Sequence, residues 1–405
     1  MRHPPGIPSA WPIAGGRISV ALVVGTLGRP SAARHVVDLV RGLGAGRHRA
    51  HVYVMAGAAP PTAARFEALG VPVTALPRRH AYEPGRLVAL ARALRRDGVD
   101  LVHAILPAGA AYGAFAARLA GIPVVIVSSR ADDPRERRRV RTLLHRIYRG
   151  ATAVLANTRA HAAAIGAEAN LSAGRVRVVY DGVDLDGPHP PGVLDGLRDR
   201  VWHRPFVIGG AGGGEAGRRL FGAAAVRIAA RHPAARFVWL EDGANAGAPA
   251  PPADPRVAAF GPVMTVARVG DDPMPVLGQL AMLCLAGAPE CPSLDLVPAA
   301  MAAARPIVAT RVPGIDEFVV DGATGAVVPG GDAAAFAAAA LALLDDRGRL
   351  RSAGAAARAR AERGLGAAEM ARATAAVYEA SLLGRRAPTG RGEDVPAGPM
   401  ASLGR

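Results

Sequence analysis

The sequence contains no lysine, so all 49 of its basic Lys and Arg side chains are arginine, in a chain of 405 residues. A phosphate site here must use guanidinium groups, backbone N–H groups or helix N-termini, because no compact ammonium is present. Cysteine is scarce too. Only Cys284 and Cys291 occur, which excludes a disulfide framework and fits a reducing compartment. Aromatic residues make up 4% of the chain and hardly interleave with the arginines, so the stacking platforms of nucleic-acid binders are missing. No apolar run reaches the roughly 18 residues of a membrane span, and the alanine-rich stretch Ala333–Leu344 stops at Asp345. From Met1-Arg2-His3-Pro4-Pro5 to the first strand-like run there is no apolar core of the roughly 7–15 residues expected of a signal peptide. The expectation is a cytoplasmic protein that binds no nucleic acid, either soluble or peripheral at the inner face of a membrane.

What is present is globular in composition. Half the residues are hydrophobic and a fifth charged, which excludes a disordered chain. The net charge of +16 fits a solvated basic face, nucleic acid or an anionic membrane, and the scarcity of aromatics weighs against nucleic acid.

Apolar β-branched runs alternate with helical patterns throughout, the pattern of parallel α/β units. The first series of strands is Ile18–Val24, His51–Met55, Val71–Ala75, Leu101–Ala104, Val124–Val127, Ala153–Ala156 and Val176–Val179. The Pro/Gly/Asp-rich stretch from Gly187 to Gly192 reads as a linker. A second series follows: Phe206–Ile208, Phe237–Leu240, Met282–Leu285, Ile307–Ala309 and Ala326–Val328. Two doubly wound, Rossmann-like parallel-sheet domains facing a central cleft are the economical α/β architecture, with ligands bound at the carboxyl ends of both sheets. The boundaries are 1–16 for a disordered N-terminus, 17–190 for the first domain and 191–365 for the second. Residues 366–384 form a C-terminal helix able to cross back to the first domain, and 385–405 a disordered tail.

The strongest local signal is the run Gly209-Gly210-Ala211-Gly212-Gly213-Gly214-Glu215-Ala216-Gly217 between a strand and a helix starting near Arg218. Such a turn either cradles a phosphate on its N–H groups and the helix dipole or is only a flexible connection. The fingerprint Gly212-x-Gly214-x-x-Gly217 with Glu241 after the next strand also fits a dinucleotide site, a weak match in a glycine-rich chain. A second segment, Glu290-Cys291-Pro292-Ser293-Leu294-Asp295-Leu296-Val297, places two loop acids before a short helix. Arg218 and Arg219 either turn back onto a phosphate or face solvent. His103, at the end of an apolar strand, either contacts a ligand or is a structural histidine. Arg130, ending the next strand, either meets an anion or is exposed. The basic helix Arg135–Arg149 carries Val140, Leu143, Leu144 and Ile147 on one side, a stripe that either packs on the domain or lies on an anionic membrane.

From Ala300-Met301-Ala302-Ala303-Ala304-Arg305-Pro306-Ile307-Val308-Ala309-Thr310 through Pro313-Gly314-Ile315-Asp316-Glu317 to Gly325, the chain resembles the C-terminal signature of the group 1 (family 4) glycosyltransferases. Val178-Val179-Tyr180-Asp181-Gly182-Val183-Asp184, Ala156-Asn157-Thr158 and Asp100-Leu101-Val102-His103-Ala104 are similar to further motifs of that family, in the same order. The resemblance implies the GT-B fold, with acceptor in the first domain and donor in the second. It further implies sugar transfer from a nucleotide-sugar to a glycan or lipid-linked acceptor hydroxyl, with retention, no metal and no cofactor, in cell-surface polysaccharide or glycolipid synthesis. The family's first glutamate falls on Cys291 or, with a one-residue shift, on Glu290, and together with the readings above His103, Glu290 and Asp295 are expected in catalysis. Gly209, Gly210, Gly212, Gly213, Gly214, Arg218, Arg219, Glu241, Leu296, Val297 and Glu317 fall to the donor, and Ser31 and Arg130 to the acceptor side. The family's Arg and Lys at the diphosphate turn correspond to Gly210 and Ala216, and its second glutamate to Ala299. Those departures leave a second reading, a catalytically silent scaffold partnering an active transferase. A GT-B epimerase or a nicotinamide enzyme is a third.

Overall fold

The computed structural model describes residues 16–28, 30–44, 46–56, 60–76, 83–130, 138–172, 174–185, 206–242, 264–269, 272–289 and 293–384. The expected N-terminal and C-terminal tails, the linker near residue 190, Arg135, Glu290 and Cys291 lie outside them.

Two parallel sheets organise the chain. In the first, β1 (Ile18–Val24), β2 (His48–Val54), β3 (Val73–Ala75), β4 (Leu101–Ile105), β5 (Val124–Ser129), β6 (Ala153–Ala156) and β7 (Val176–Val178) lie in the order β3-β2-β1-β4-β5-β6-β7. In the second, β8 (Val207–Ala211), β9 (Arg236–Asp242), β10 (Met264–Val269), β11 (Met282–Leu285), β12 (Ile307–Thr310) and β13 (Gly325–Val328) repeat it as β10-β9-β8-β11-β12-β13. Both orders reverse beside the first strand, which opens a crevice at the carboxyl ends. The edge strand β10 is absent from the sequence reading. Its six residues hold their place through pairing with β9, Met264 opposite Phe237, and that register is invisible locally.

The strands are apolar on both faces because helices cover both faces of each sheet. Alternation sorts the side chains. Val20, Leu22, Leu101, Ile105 and Ile126 pack beneath α1 (Pro30–Leu43) and the last helix, whereas Ala21, Val23, Val102 and Val127 pack beneath α4 (Leu106–Ala120) and α5 (Arg138–Gly150). In the second sheet Ile208, Phe237, Trp239 and Cys284 pack with Phe221 of α7 (Gly214–Arg231). The Cys284 thiol is fully buried, and burial pushes it far up from its ordinary range, which leaves it an inert core residue. Between α1 and α7 the remaining described helices of the first domain are α2 (Pro60–Ala68), α3 (Pro84–Arg96) and α6 (Arg159–Glu168). After α7 come α8 (Met274–Leu277), α9 (Val297–Ala302), α10 (Ala333–Leu344), α11 (Arg347–Gly364) and α12 (Ala367–Gly384). Asp332 and Asp346 cap α10 and α11 by accepting from Ala334, Ala335 and Arg349 N–H groups.

Helix α12 lies against α1 of the first domain, and its Met370, Ala371, Val377 and Tyr378 complete that domain's core. The approach is close at Gly42, where a Cβ would sit 2.5 Å from Ala371 Cβ and 2.8 Å from the Ala367 carbonyl oxygen. Alanine is the better helix former by about 1 kcal/mol, yet G42A is expected to lower the urea midpoint by forcing α1 and α12 apart. A raised midpoint would show that the two helices do not touch there.

Candidate active site between the domains

The crevice is bounded on the first-domain side by the ends of β4, β5 and β6 and on the second-domain side by the ends of β8, β11 and β12. Arg130, just past β5, spans it. Its Nη2 donates to Asp181 Oδ2 at 2.8 Å and to Asp295 Oδ1 at 2.9 Å, and its side chain is 8% exposed. Asp181 also receives Asn157 Nδ2 at 3.1 Å and lies 3.0 Å from His35 Nδ1. Burial on its own would raise the Asp181 carboxyl, but Arg130, with His35 and Asn157, holds it well below the usual carboxylate range. Arg130, expected on the acceptor side, thus joins the second domain's Asp295, expected in catalysis. Ser31 sits half-buried in the first turn of α1, on the same domain.

Glu317 closes the crevice at a second point. It ends a 3-10 turn (Ile315–Glu317) that follows Gly314, whose φ of 86° carries the chain against Thr158. The carboxylate accepts from the Arg159 N–H at 2.8 Å, the Ala160 N–H at 3.0 Å and the Tyr180 hydroxyl at 2.7 Å. The second domain therefore supplies the anion for the N-terminus of α6 in the first, beside the Thr158 cap that accepts from His161 N–H. A donor-binding role was expected for Glu317; the structure gives its carboxylate to the domain contact.

His103 stands on the β4 face shared with Leu101 and Ile105, under α1 and α12. It is 1% exposed, with Nδ1 2.7 Å from Tyr378 Oη and Nε2 2.7 Å from Ser128 Oγ. Burial, helped by the neighbouring His35, brings it down to about 3. The side chain therefore lies inside the domain, neutral near pH 7. On the opposite face Ser129 Oγ meets Tyr148 Oη and His161 Nε2, and burial lowers His161 to about 4. His35, His103, Ser128, Asn157 and Asp181 surround a cavity of about 20 Å³, space for about one water. Sequence reasoning passed over His35, Asn157 and Asp181 as site residues, since no local pattern joins them.

The glycine run divides. Gly209 and Gly210 belong to β8, where a Cβ would sit 2.4 Å from Leu280 and from the Phe221 ring respectively. They let large side chains cover the strand and are not part of the turn. Gly212, Gly213 and Gly214 do form the turn, with φ of 88°, 64° and 56°. The helix starts at Gly214, four residues earlier than expected. Gly213 and Gly217 are required by packing, each having its Cβ position 2.2 Å from the Ala286 carbonyl oxygen, and the Cβ position of Gly212 faces Gly287 N and Ser293. These left-handed glycines start α7 next to Gly287 and Ser293, and the first N–H groups of a helix favour negative charge.

The expected cations lie elsewhere. Arg218 Nη2 donates to Glu241 Oε1 at 2.7 Å, so two separately expected donor residues form one ion pair. Arg219 is 66% exposed, 4.0 Å from Glu215. Leu296 is half-buried, and Val297 is fully buried in the second-domain core, as is Ala299 at the family's glutamate position.

Two outcomes follow. His103 and His161 bind protons in the unfolded chain below about 6.5 but resist them in the fold, so their stability contribution is full above that pH and is lost as pH falls toward 4. Asp38, raised by burial to about 6, works the other way, so the comparison with a variant isolates His103. Urea titrations between pH 4.5 and 6 should show a slope shallower by about one proton, ~1.4 kcal/mol per pH unit, in H103Q; an unchanged slope would mean His103 is protonated in the fold. E317Q should cost about 2 kcal/mol and speed hydrogen exchange at Arg159 and Ala160, whereas unchanged exchange there would remove the capping role.

A Glycosyltransferase Family 4 model matches residues 32–186, and a Glycosyl transferases group 1 model matches residues 209–346. Among solved structures, HepE of Anabaena in complex with UDP and glucose has a TM-score of 0.72 and 17% identity, over 90% of this chain and 100% of that one. A glycosyltransferase from Rickettsia africae has a TM-score of 0.71 and 13% identity, over 91% and 99%. Sucrose-phosphate synthase of Thermosynechococcus elongatus has a TM-score of 0.69 and 17% identity, over 92% and 100%. No curated protein matches the chain. At these identities the solved structures establish likeness of fold, and that fold is GT-B. The two family models between them span both domains: the chain belongs to the group 1 (family 4) glycosyltransferases.

Proposed function

We propose that the protein moves a sugar from a nucleotide-sugar donor, seated on the Gly212–Gly214 turn, to the hydroxyl of a glycan or lipid-linked acceptor held against the first domain. The reading adds retention at the anomeric carbon, no metal, and a place on the cytoplasmic side of polysaccharide or glycolipid assembly. One observation carries it: three successive left-handed glycines open an 18-residue helix toward Gly287 and Ser293 at the carboxyl end of the second sheet. As the anomeric C–O bond breaks, its electron pair leaves with the nucleoside diphosphate. The backbone N–H groups and helix end meet that growing charge where other chains would use a cation. The acceptor oxygen forms the new bond and passes its proton to the departing phosphate. Solved relatives bound to UDP and UDP-glucose make a uridine nucleotide the first donor to try.

A second reading, a silent scaffold that partners an active transferase, is favoured by the ion pairs. Arg218 is paired with Glu241, Arg130 with Asp181 and Asp295, and Glu317 with the start of α6. The two readings separate in one experiment. UDP-, GDP-, ADP- and TDP-sugars are titrated by calorimetry and assayed for transfer or hydrolysis, with G214E and A216K alongside. Ala216 is exposed on the helix, so A216K keeps the fold; Gly214 is exposed but left-handed at φ 56°, so G214A, which adds the same backbone strain without the charge, is the control for G214E. Under the transfer reading one donor binds and turns over, G214E abolishes binding by placing a carboxylate at the anion seat, and A216K tightens it about ten-fold. Absence of binding and turnover across the panel leaves the scaffold.

A further inference from the structure

The amphipathic stripe on α5 does not all pack inward. Leu144, Ile147 and Tyr148 are buried, but Val140 and Leu143 are each 39% exposed. Beside them on α4, Phe115 is 41% and Leu119 46% exposed, so half of the large exposed hydrophobic residues described in the molecule gather on one face. Between the two helices runs an open groove of about 270 Å³, floored by Ala114, Val125 and Ile147 and flanked by Phe115 and Leu143. Its polar rim is basic. Arg118 and Arg146 line it, and Arg141 and Arg149 stand exposed on the same helix. Among the described residues no carboxylate pairs with any of these four, whereas exposed arginines such as Arg231, Arg311 and Arg372 elsewhere in the fold meet Asp345, Asp316 and Glu369.

An apolar strip with unpaired guanidinium groups along it is uncommon on a monomer's free surface. Its complement must present acyl or other aliphatic chains next to negative charge. No described helix is long and apolar enough to cross a membrane. We propose that the α4–α5 face docks on the surface of a bilayer containing anionic phospholipid. Phe115, Leu119, Val140 and Leu143 enter the acyl boundary, the groove takes the end of a lipid chain, and Arg118, Arg141, Arg146 and Arg149 bind the phosphates. A second copy of the chain fits less well, because two such faces would bring eight unpaired guanidinium groups together. The proposal stands apart from the sugar-transfer reading, since docking needs no donor.

The test is co-sedimentation of the full chain with large vesicles of phosphatidylcholine alone or with about a third phosphatidylglycerol. The anionic vesicles should bind the protein and release it as salt is raised, and the neutral ones should not. Replacing Arg141 and Arg146 by Gln should weaken the partition about 25-fold, roughly five-fold per arginine, and L143E should abolish it. Because all three positions are exposed, circular dichroism and urea midpoints should stay at wild-type values. V226E, at a 53%-exposed hydrophobic position on α7 of the other domain, should bind like wild type. Equal binding to both vesicle types, no binding, or loss in V226E equal to that in L143E would overturn the proposal. Dimerisation in solution that L143E dissolves would also overturn it, assigning the face to a second copy.

Discussion

One guanidinium sets the geometry of the crevice. Arg130 leaves the end of a first-domain strand and holds, with a single Nη2, the boundary residue Asp181 and the second-domain residue Asp295. Removing it would leave two carboxylates in a largely water-excluded space with nothing between them, a loss larger than the pair's own attraction. Glu317 and the α6 N-terminus form the second support, where a carboxylate of one domain satisfies backbone donors of the other. Tyr378, carried back on α12, forms a third by bonding His103 from the far end of the chain.

These supports consume the charges that a nucleotide site would otherwise recruit. Glu241 neutralises Arg218, Glu317 faces α6, and Arg130 lies between two aspartates. What the described crevice still offers an anion is backbone: the three left-handed glycines, the start of α7 and the approach to Gly287. In a chain without lysine that is a coherent solution, because a helix N-terminus favours an anion without needing a long side chain. Four exposed arginines that pair with no described carboxylate stand instead along the α4–α5 groove.

Much of the architecture was legible. Short β-branched runs spaced by helical patterns marked twelve of the thirteen described strands, and the described one passed over, Met264–Val269, is an edge strand supported by one neighbour. The glycine turn was legible as a turn, yet its extent was not. Gly209 and Gly210 look the same in sequence as Gly212 and Gly213, and only the positions of Leu280 and Phe221 show that the first two make space for packing. The stripe on α5 was read correctly as amphipathic, while its division into buried and exposed halves depends on how far α4 reaches across it.

The sequence by itself determined the two-domain α/β class, the family and the place of the glycine turn, since hydrophobic periodicity, glycine content and ordered motifs are written within a few tens of residues. It also determined that His103 shares a strand face with Leu101 and Ile105. The tertiary structure alone decided what covers that face. His103 meets a residue 275 positions away, Arg130 one 165 away, and Glu317 a helix 158 away. Partners at those separations are chosen by how the sheets and helices pack, and packing is a property of the whole chain.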